Sequence, residues 1–336
     1  MDFSLIEEQR TWQMKLLVPA LLSLIVVTHA WAQPVWRPEK QVEIILPTAP
    51  GGGNDLVGRL MQKMLQEQKL VPTPILVVNK AGGNQALSAI YLSQHAADPH
   101  YLLLATSTLV TNQMQGLVQY HYADFPPLAL AFVDYSAFMV PANSPFKTMR
   151  DLIDRLKTDP DSVAFSIISR GGTSHAALAQ AAKGAGVDPK RLKLVVYKTS
   201  AEATTAMMGG HIHAAVSSAA GSTPQVVAGN IRMLAIAAPQ RRTGALASVP
   251  TLTELGIDAP GLSTWRGIFG AKGITPAQIA FWDEALARAF SADEWQKHMA
   301  ENNVTAPPLR GKELVKYLEA QYVHTRSVLV DLGLTK

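Results

Sequence analysis

Short apolar runs alternate with stretches of helical spacing along most of the chain. VEIILP, over residues 42–47, is an apolar run bounded by turn residues and predicts a strand. From Asn54 the spacing changes: Leu56, Leu60 and Met64, with Val57 and Met61, recur at three and four residues, so a helix begins there. ILVVN (75–79) is a second strand, followed by KAGGNQALSAIYLSQ, a glycine-rich turn opening a helix; YLLLATS (101–107) is a third strand. KTMRDLIDRLKTDP predicts a helix, VAFSII (163–168) a strand, and SRGGTSHAALAQAAK a turn into another helix. LKLVVYK (192–198) is a strand, TSAEATTAMMGG a helix ending at a glycine pair, and HAAVSSA and RMLAIAA two further strands. Near the end, Thr275-Pro276 supplies a cap and an N1 proline for PAQIAFWDEALARAF, and GKELVKYLEAQYVHTRSVLVDL follows as a last helix.

Strands alternating with helices imply an α/β fold, a mainly parallel sheet covered on both faces. SAFMVPANSP (136–145) and STWRGIFGA (263–271) are apolar and extended, and they flank the middle block. They read as two hinge strands joining two lobes with a cleft between. The expected lobes are 33–136 plus 259–336, and 137–258, each a sheet flanked by helices.

The first residues change the picture of the cellular compartment. From Met14, the segment MKLLVPALLSLIVVTHAWAQ carries Lys15, an apolar run over 16–27 and Ala30-Trp31-Ala32. This is the pattern of a secretory signal peptide, here residues 1–32, cleaved after Ala32. The run is shorter than the ~20 apolar residues a membrane span needs. Asp2, Glu7 and Glu8 do not suit the basic region of a signal, so the expected natural start is Met14. The remaining length suits two domains at about 150 residues each. The 336 residues include no cysteine, which excludes disulfides, cysteine nucleophiles, cysteine-based zinc sites and a lipid-anchored cysteine. The expected product is periplasmic, soluble and not lipid-anchored. The net charge of +4 is mild and scattered, with no basic block interleaved with aromatics, so no nucleic-acid partner is expected.

Three strand-to-helix turns are rich in small residues: APGGGND, NKAGGN and SRGGTSH. Free backbone N–H groups at a helix start favour an anion, and glycine lets it come close. Nucleotide motifs fail: Gly53 is followed after four residues by Gly58 and then Arg59, without the lysine of a phosphate loop, and Gly51 and Gly53 are followed by Leu56. Gly172-Thr173-Ser174-His175-Ala176 approximates a nucleophile elbow, with Asp258 and His298 as later acid and histidine, but Ala176 stands where the second glycine belongs. His211 and His213 alternate without a nearby carboxylate, so no metal site is read from them. Arg170, in the third turn, and Arg266, in the second hinge strand, are the two cations placed to pair with a ligand carboxylate.

The ordered series ILPTAPGGGNDLVGRLM, VVNKAGGN, DPHYLLLATS, YADFPPLAL, SPFKTMRDL, VVYKTSAEATTAMMGGHI, AGNIRMLAIAAPQR, VPTLTELGI and WRGIFGAKGITPAQI resembles the extracytoplasmic receptors of tripartite tricarboxylate transporters, the Bug-type solute-binding proteins. The resemblance covers residues 40–310. It implies a two-lobe, type II-like periplasmic binding fold, without catalysis or cofactor. Such a receptor closes as a monomer on a small carboxylate: a di- or tricarboxylate, an acidic amino acid or an aromatic carboxylate. It then delivers the ligand to a two-subunit membrane permease. The resemblance places Pro50, Gly51, Gly52, Asn54 and Asp55 at one ligand carboxylate, gripped through backbone amides and bridging waters. Asp55 is expected to orient that turn and not to touch the anion. Asn79, Gly82, Gly83 and Asn84 form the second turn, and Thr106 and Ser107 the end of the third strand. The other lobe is expected to supply Ser169, Gly171, Gly172, Thr173 and His175, with Ser217 and Ser218 closing the pocket. The chain departs from the family at Thr48, and where SIISRGG replaces a Ser/Gly-rich stretch. Ile167, Ile168 and Arg170 there suit a longer or aromatic dicarboxylate. The rival functions are a sensor presenting its liganded form to a membrane kinase and a hydrolase built on Ser174.

Overall fold

The structure, a computed structural model, describes residues 36–335 apart from 52, 169, 198–199, 260–262 and 306–308. The expected signal peptide and the Met14 start lie outside the described residues, as do Gly52 and Ser169. Among these residues nine strands form one sheet in the order Ile75–Asn79, Val42–Leu46, Tyr101–Thr106, Ser263–Gly270, Pro127–Pro141, Ala214–Ser218, Ala164–Ile167, Lys193–Val196, with Ile231–Ile236 beside Pro127–Pro141.

In the first half, β1 (Val42–Leu46) lies between β2 (Ile75–Asn79) and β3 (Tyr101–Thr106), parallel to both. Four of its five residues are buried, as an apolar run between two neighbours requires. α1 (Gly53–Glu67) follows β1 and buries Val57, Met61, Met64 and Leu65, one face at helical spacing. It lies so close to the sheet that a Cβ on Gly58 would come within 2.5 Å of Leu46 Cδ2. α2 (Ala86–Ser93) follows β2, and α3 (Thr108–Met114) starts directly after β3. In the second half, β5 (Ala164–Ile167) runs parallel to β6 (Lys193–Val196) and to β7 (Ala214–Ser218). α4 (Met149–Thr158) precedes β5, α5 (Thr173–Gly184) follows it, α6 (Ser200–Met208) precedes β7, and α7 (Ala219–Val227) follows it.

Two strands join the halves. β4 (Pro127–Pro141) is fifteen residues long and nearly all buried. It pairs antiparallel with β9 (Ser263–Gly270) as far as Tyr135, and from Ser136 onward with β7 and β8 (Ile231–Ile236). The parallel strands therefore lie on the outside, and the antiparallel pairs surround the crossovers. The strand starts nine residues before the hinge segment read from the sequence, because Pro126-Pro127 masked a continuous apolar run.

α8 (Pro276–Phe290), α9 (Asp293–Glu301) and α10 (Gly311–Asp331) complete the chain. Thr275 caps α8 by accepting from Gln278 N–H, with Gln278 reciprocating and Pro276 at N1. The core of the first half holds Trp265, Trp282 and Trp295, all fully buried; Trp282 Nε1 donates to the Pro99 carbonyl at 2.8 Å, which satisfies its one donor. The second half has separate clusters, centred on Phe138, Phe165 and Leu152, and on Met139, Met207 and Met233.

Candidate functional site

In the first turn Gly51 has φ +81° and donates its N–H to Asp55 Oδ2 at 3.0 Å. The same oxygen accepts from Arg59 Nε at 2.9 Å, and Oδ1 accepts from Asn79 Nδ2 at 2.9 Å. Asn79 Nδ2 also reaches the Thr48 carbonyl, tying the end of β2 to the end of β1. Asp55 is buried, and its pKa falls to about 2, chiefly through Arg59, then the Gly51 N–H and Asn79. Its carboxylate is thus occupied by protein donors, and it orients the turn. Pro50 is exposed beside it.

The second turn is more strained. Gly82, Gly83, Asn84 and Gln85 all have positive φ, and two of these residues carry side chains. Reciprocal bonds hold Asn84: its Nδ2 donates to Asn112 Oδ1 at 2.8 Å, and Asn112 Nδ2 donates to the Asn84 carbonyl at 2.9 Å. Gln85 Oε1 accepts from Thr106 Oγ1 at 2.7 Å and Thr108 Oγ1 at 3.0 Å, linking this turn to the end of β3. Sequence reasoning passed over Gln85 and Asn112; the signal available was the polar pair directly after two glycines.

The third turn repeats the geometry of the first. Gly171 has φ +73°, and its N–H donates at 2.9 Å to His175 Nδ1, four residues on. That bond puts the ring proton on Nε2. Burial, then the Arg170 charge, pushes the pKa of His175 down to about 4. Gly172 is the N-cap of α5, and Thr173 Oγ1 lies 2.7 Å from Ser107 Oγ, so the ends of β3 and β5 touch across the two halves. A Cβ on Gly171 would meet the Gln115 side-chain amide at 2.8 Å. Arg170 itself is exposed.

Ser217 and Ser218 diverge, as neighbours on a strand do. Ser217 donates to Ser200 Oγ at 2.9 Å. Ser218 caps α7 by accepting from Gly221 N–H at 2.8 Å, and it donates to Asp134 Oδ2. Asp134, on β4, is fully buried and was missed in the sequence. Ser218 and Asn54 line one cavity of about 140 Å³, together with Arg266 from β9.

The triad alternative finds little geometry. His298 lines that cavity, whereas Asp258 lines another of about 520 Å³ between α5 and α10. His213 Nδ1 accepts the Ala164 N–H at 2.9 Å, a structural use of the ring. Among the described residues no helix is long and apolar enough to cross a membrane.

The model of the tripartite tricarboxylate transporter family receptor, TctC, matches residues 57–334. Protein BugT of Bordetella pertussis is 27% identical over 293 residues, 81% of this chain and 87% of that protein. A TctC solute-binding protein crystal structure from Polaromonas superposes with a TM-score of 0.74 at 26% identity, covering 88% of this chain and 99% of its own. An R. palustris protein solved with adipate has a TM-score of 0.77 at 22% identity, covering 89% and 99%. The fold is accordingly the two-lobe α/β fold of periplasmic binding proteins, with β4 and β9 as its crossovers. With that match running from Val57 in α1 to Leu334 just past α10, the chain belongs to the receptors of the tripartite tricarboxylate transporter family.

Proposed function

We propose that this chain is a periplasmic receptor that captures a small carboxylate-bearing ligand between its lobes and delivers it to a membrane permease. The observation that carries the reading is the pair of glycine turns on opposite halves, each fixed by the side chain four residues on. Turns fixed in advance in this way present their remaining N–H groups to an anion at little entropic cost. Thr48 Oγ1 and Gln115 Nε2, buried without hydrogen-bond partners among the described residues, lie beside the first and third turns and leave polar capacity there unused. The R. palustris relative's adipate supports a dicarboxylate.

The lobes of this reading are 33–136 plus 259–336, and 137–258, meeting where β4 changes partners. The ligand contacts of this reading are Asn54, Ser107, Thr173 and those turn amides that remain after Gly51 and Gly171 have given their N–H groups to Asp55 and His175, which orient the turns. The reading needs no catalysis: the acid and histidine proposed for Ser174 line different cavities. The reading takes the receptor as a monomer that loses residues 1–32 as a signal peptide on export.

The test is mass spectrometry of ligand released from natively purified protein, alongside a thermal-shift panel of adipate, malate, glutamate, benzoate and neutral glucose. A carboxylate in the released fraction and a rise in Tm of several degrees with at least one acid are expected. A shift with glucose alone would overturn the reading.

A further inference from the structure

Arg266 is the strongest unused cation in the crossover region. Its register opposite Thr106 on β3 and Phe132 on β4 puts it at the level where the first-half strands end. Its guanidinium lies 5.1 Å from the Phe132 ring centroid. Two hydrogen bonds serve it, from Nε to Asn54 Oδ1 and from Nη1 to the Thr264 carbonyl, both long at 3.3 Å. Nη2 has no partner among the described residues. Burial works against its charge, and Asp134 offsets that only in part. No ion pair forms, because Asp134 is turned to other donors: Ser218 Oγ, Tyr135 N–H and Ala220 N–H. By exposure Arg266 is half-buried, and a guanidinium drawn partly from water without a bidentate partner is left under-satisfied in the ligand-free protein. It is also an efficient receiver for a planar carboxylate, which fits its fork.

The cavity beside it, about 140 Å³, has room for several waters or one short organic chain, at about 30 Å³ per water. Asn54, directly after the glycine triplet, forms one wall, and Phe132 and Val57 supply apolar surface for a hydrocarbon spacer. We propose that Arg266 forms an anion subsite in this cavity, which takes the second carboxylate of a dicarboxylate whose first rests on the Gly51 turn. Selection for a doubly charged ligand then comes from the hinge strand and not from the exposed Arg170. This rests on the carboxylate-receptor reading above and adds to it which residue counts the charges.

Calorimetric titration with adipate and with monomethyl adipate tests it in the wild type, R266Q and R266K. The wild type is expected to bind adipate at least tenfold more tightly than the monoester. In R266Q adipate binding falls about 10- to 100-fold, as loss of a charge-assisted pair predicts, and the diacid-to-monoester ratio drops towards one. R266K keeps the charge and loses the fork, so it retains the ratio while adipate weakens. An unchanged ratio in R266Q, with circular dichroism matching wild type, overturns the subsite and leaves the receptor reading intact. Should R266Q fail to fold, R266K decides, and unchanged adipate affinity there overturns the proposal. Binding of neither compound by the wild type counts against the subsite and the dicarboxylate reading together.

Discussion

Gly51 and Gly171 stand at positive φ in turns on opposite halves of the sheet, and each N–H finds its acceptor four residues on, in the first turn of the following helix. The acceptors differ in how they titrate. Asp55 stays ionised down to about pH 2, so its hold on the first turn persists through mild acid. His175 accepts only while neutral, and burial lowers its pKa to about 4. A histidine whose folded pKa lies below its unfolded value of about 6.5 gives stability that is complete above pH 6.5 and is lost as pH falls towards 4. His175→Gln, which keeps an acceptor for the Gly171 N–H, is expected to cost about 1 kcal/mol at pH 7. It should also flatten the loss between pH 6.5 and 4. Denaturant unfolding of both proteins across that range checks this; parallel profiles would sink it. The spacing G-x-x-x-D and G-x-x-x-H was present in the sequence. The bond to Asp55 was anticipated in part, as an orienting role. The one to His175 was hidden, because nothing in a sequence tells a buried acceptor from a ligand contact. Arg266 shows the opposite case: its chemistry was legible as a cation, but its place on a cavity wall needed the register of β9 against β3 and β4.

At the scale of elements, the apolar strands and the capped helices were legible, and helices whose composition argues against helix were not. ILVVN and PAQIAFWDEALARAF match β2 and α8 residue for residue, since burial and capping both act locally on them. α3 escaped because TLVTNQM is rich in β-branched residues and reads as more of the preceding strand. α7 escaped because Gly221 and Pro224 lie inside it; its anchor is the Ser218 cap, which joins it to Asp134 on β4. Packing between elements overrides propensity in α5 as well. Gly184 ends this helix, and a Cβ there would collide with the Asp258 carbonyl oxygen. Alanine is the better helix former by about 1 kcal/mol, but a backbone atom cannot step aside as a side chain can. Gly184→Ala is therefore expected to destabilise the protein by about 1–3 kcal/mol and lower Tm, the sign opposite to propensity. A raised Tm would show that the 258 segment yields.

Across the whole molecule, contacts between the two halves among the described residues include the crossover strands β4 and β9, the Ser107–Thr173 hydroxyl pair, Arg242 on the Asn303 carbonyl, and the face of α5 against α10. On that face Gln180 bonds His324 at 2.7 Å, Lys183 pairs with Asp331, and Ala176 and Ala179 pack on Val328. The crossovers are continuous backbone and persist in any arrangement, whereas the hydroxyl pair breaks if the halves part. Surface contacts of this kind stabilise by only about 0–1 kcal/mol each, so an equilibrium between open and shut forms lies within reach of a ligand's binding energy. A chain with no cysteine lets that be tested cleanly. Ser107 Oγ and Thr173 Oγ1 are 2.7 Å apart, so cysteines at both positions bring two sulfurs within bonding reach. The oxidised S107C/T173C protein is expected to lose its free thiols without any ligand present. It should then take up adipate at least tenfold more slowly than the reduced form, since a shut cleft admits ligand poorly. Reduction should restore the rate of the same variant kept reduced throughout. Equal uptake by the oxidised and reduced proteins would mean that the ligand enters without parting the ends of β3 and β5. The pocket opened by hinge motion would then have to lie on the Arg266 side of the crossovers.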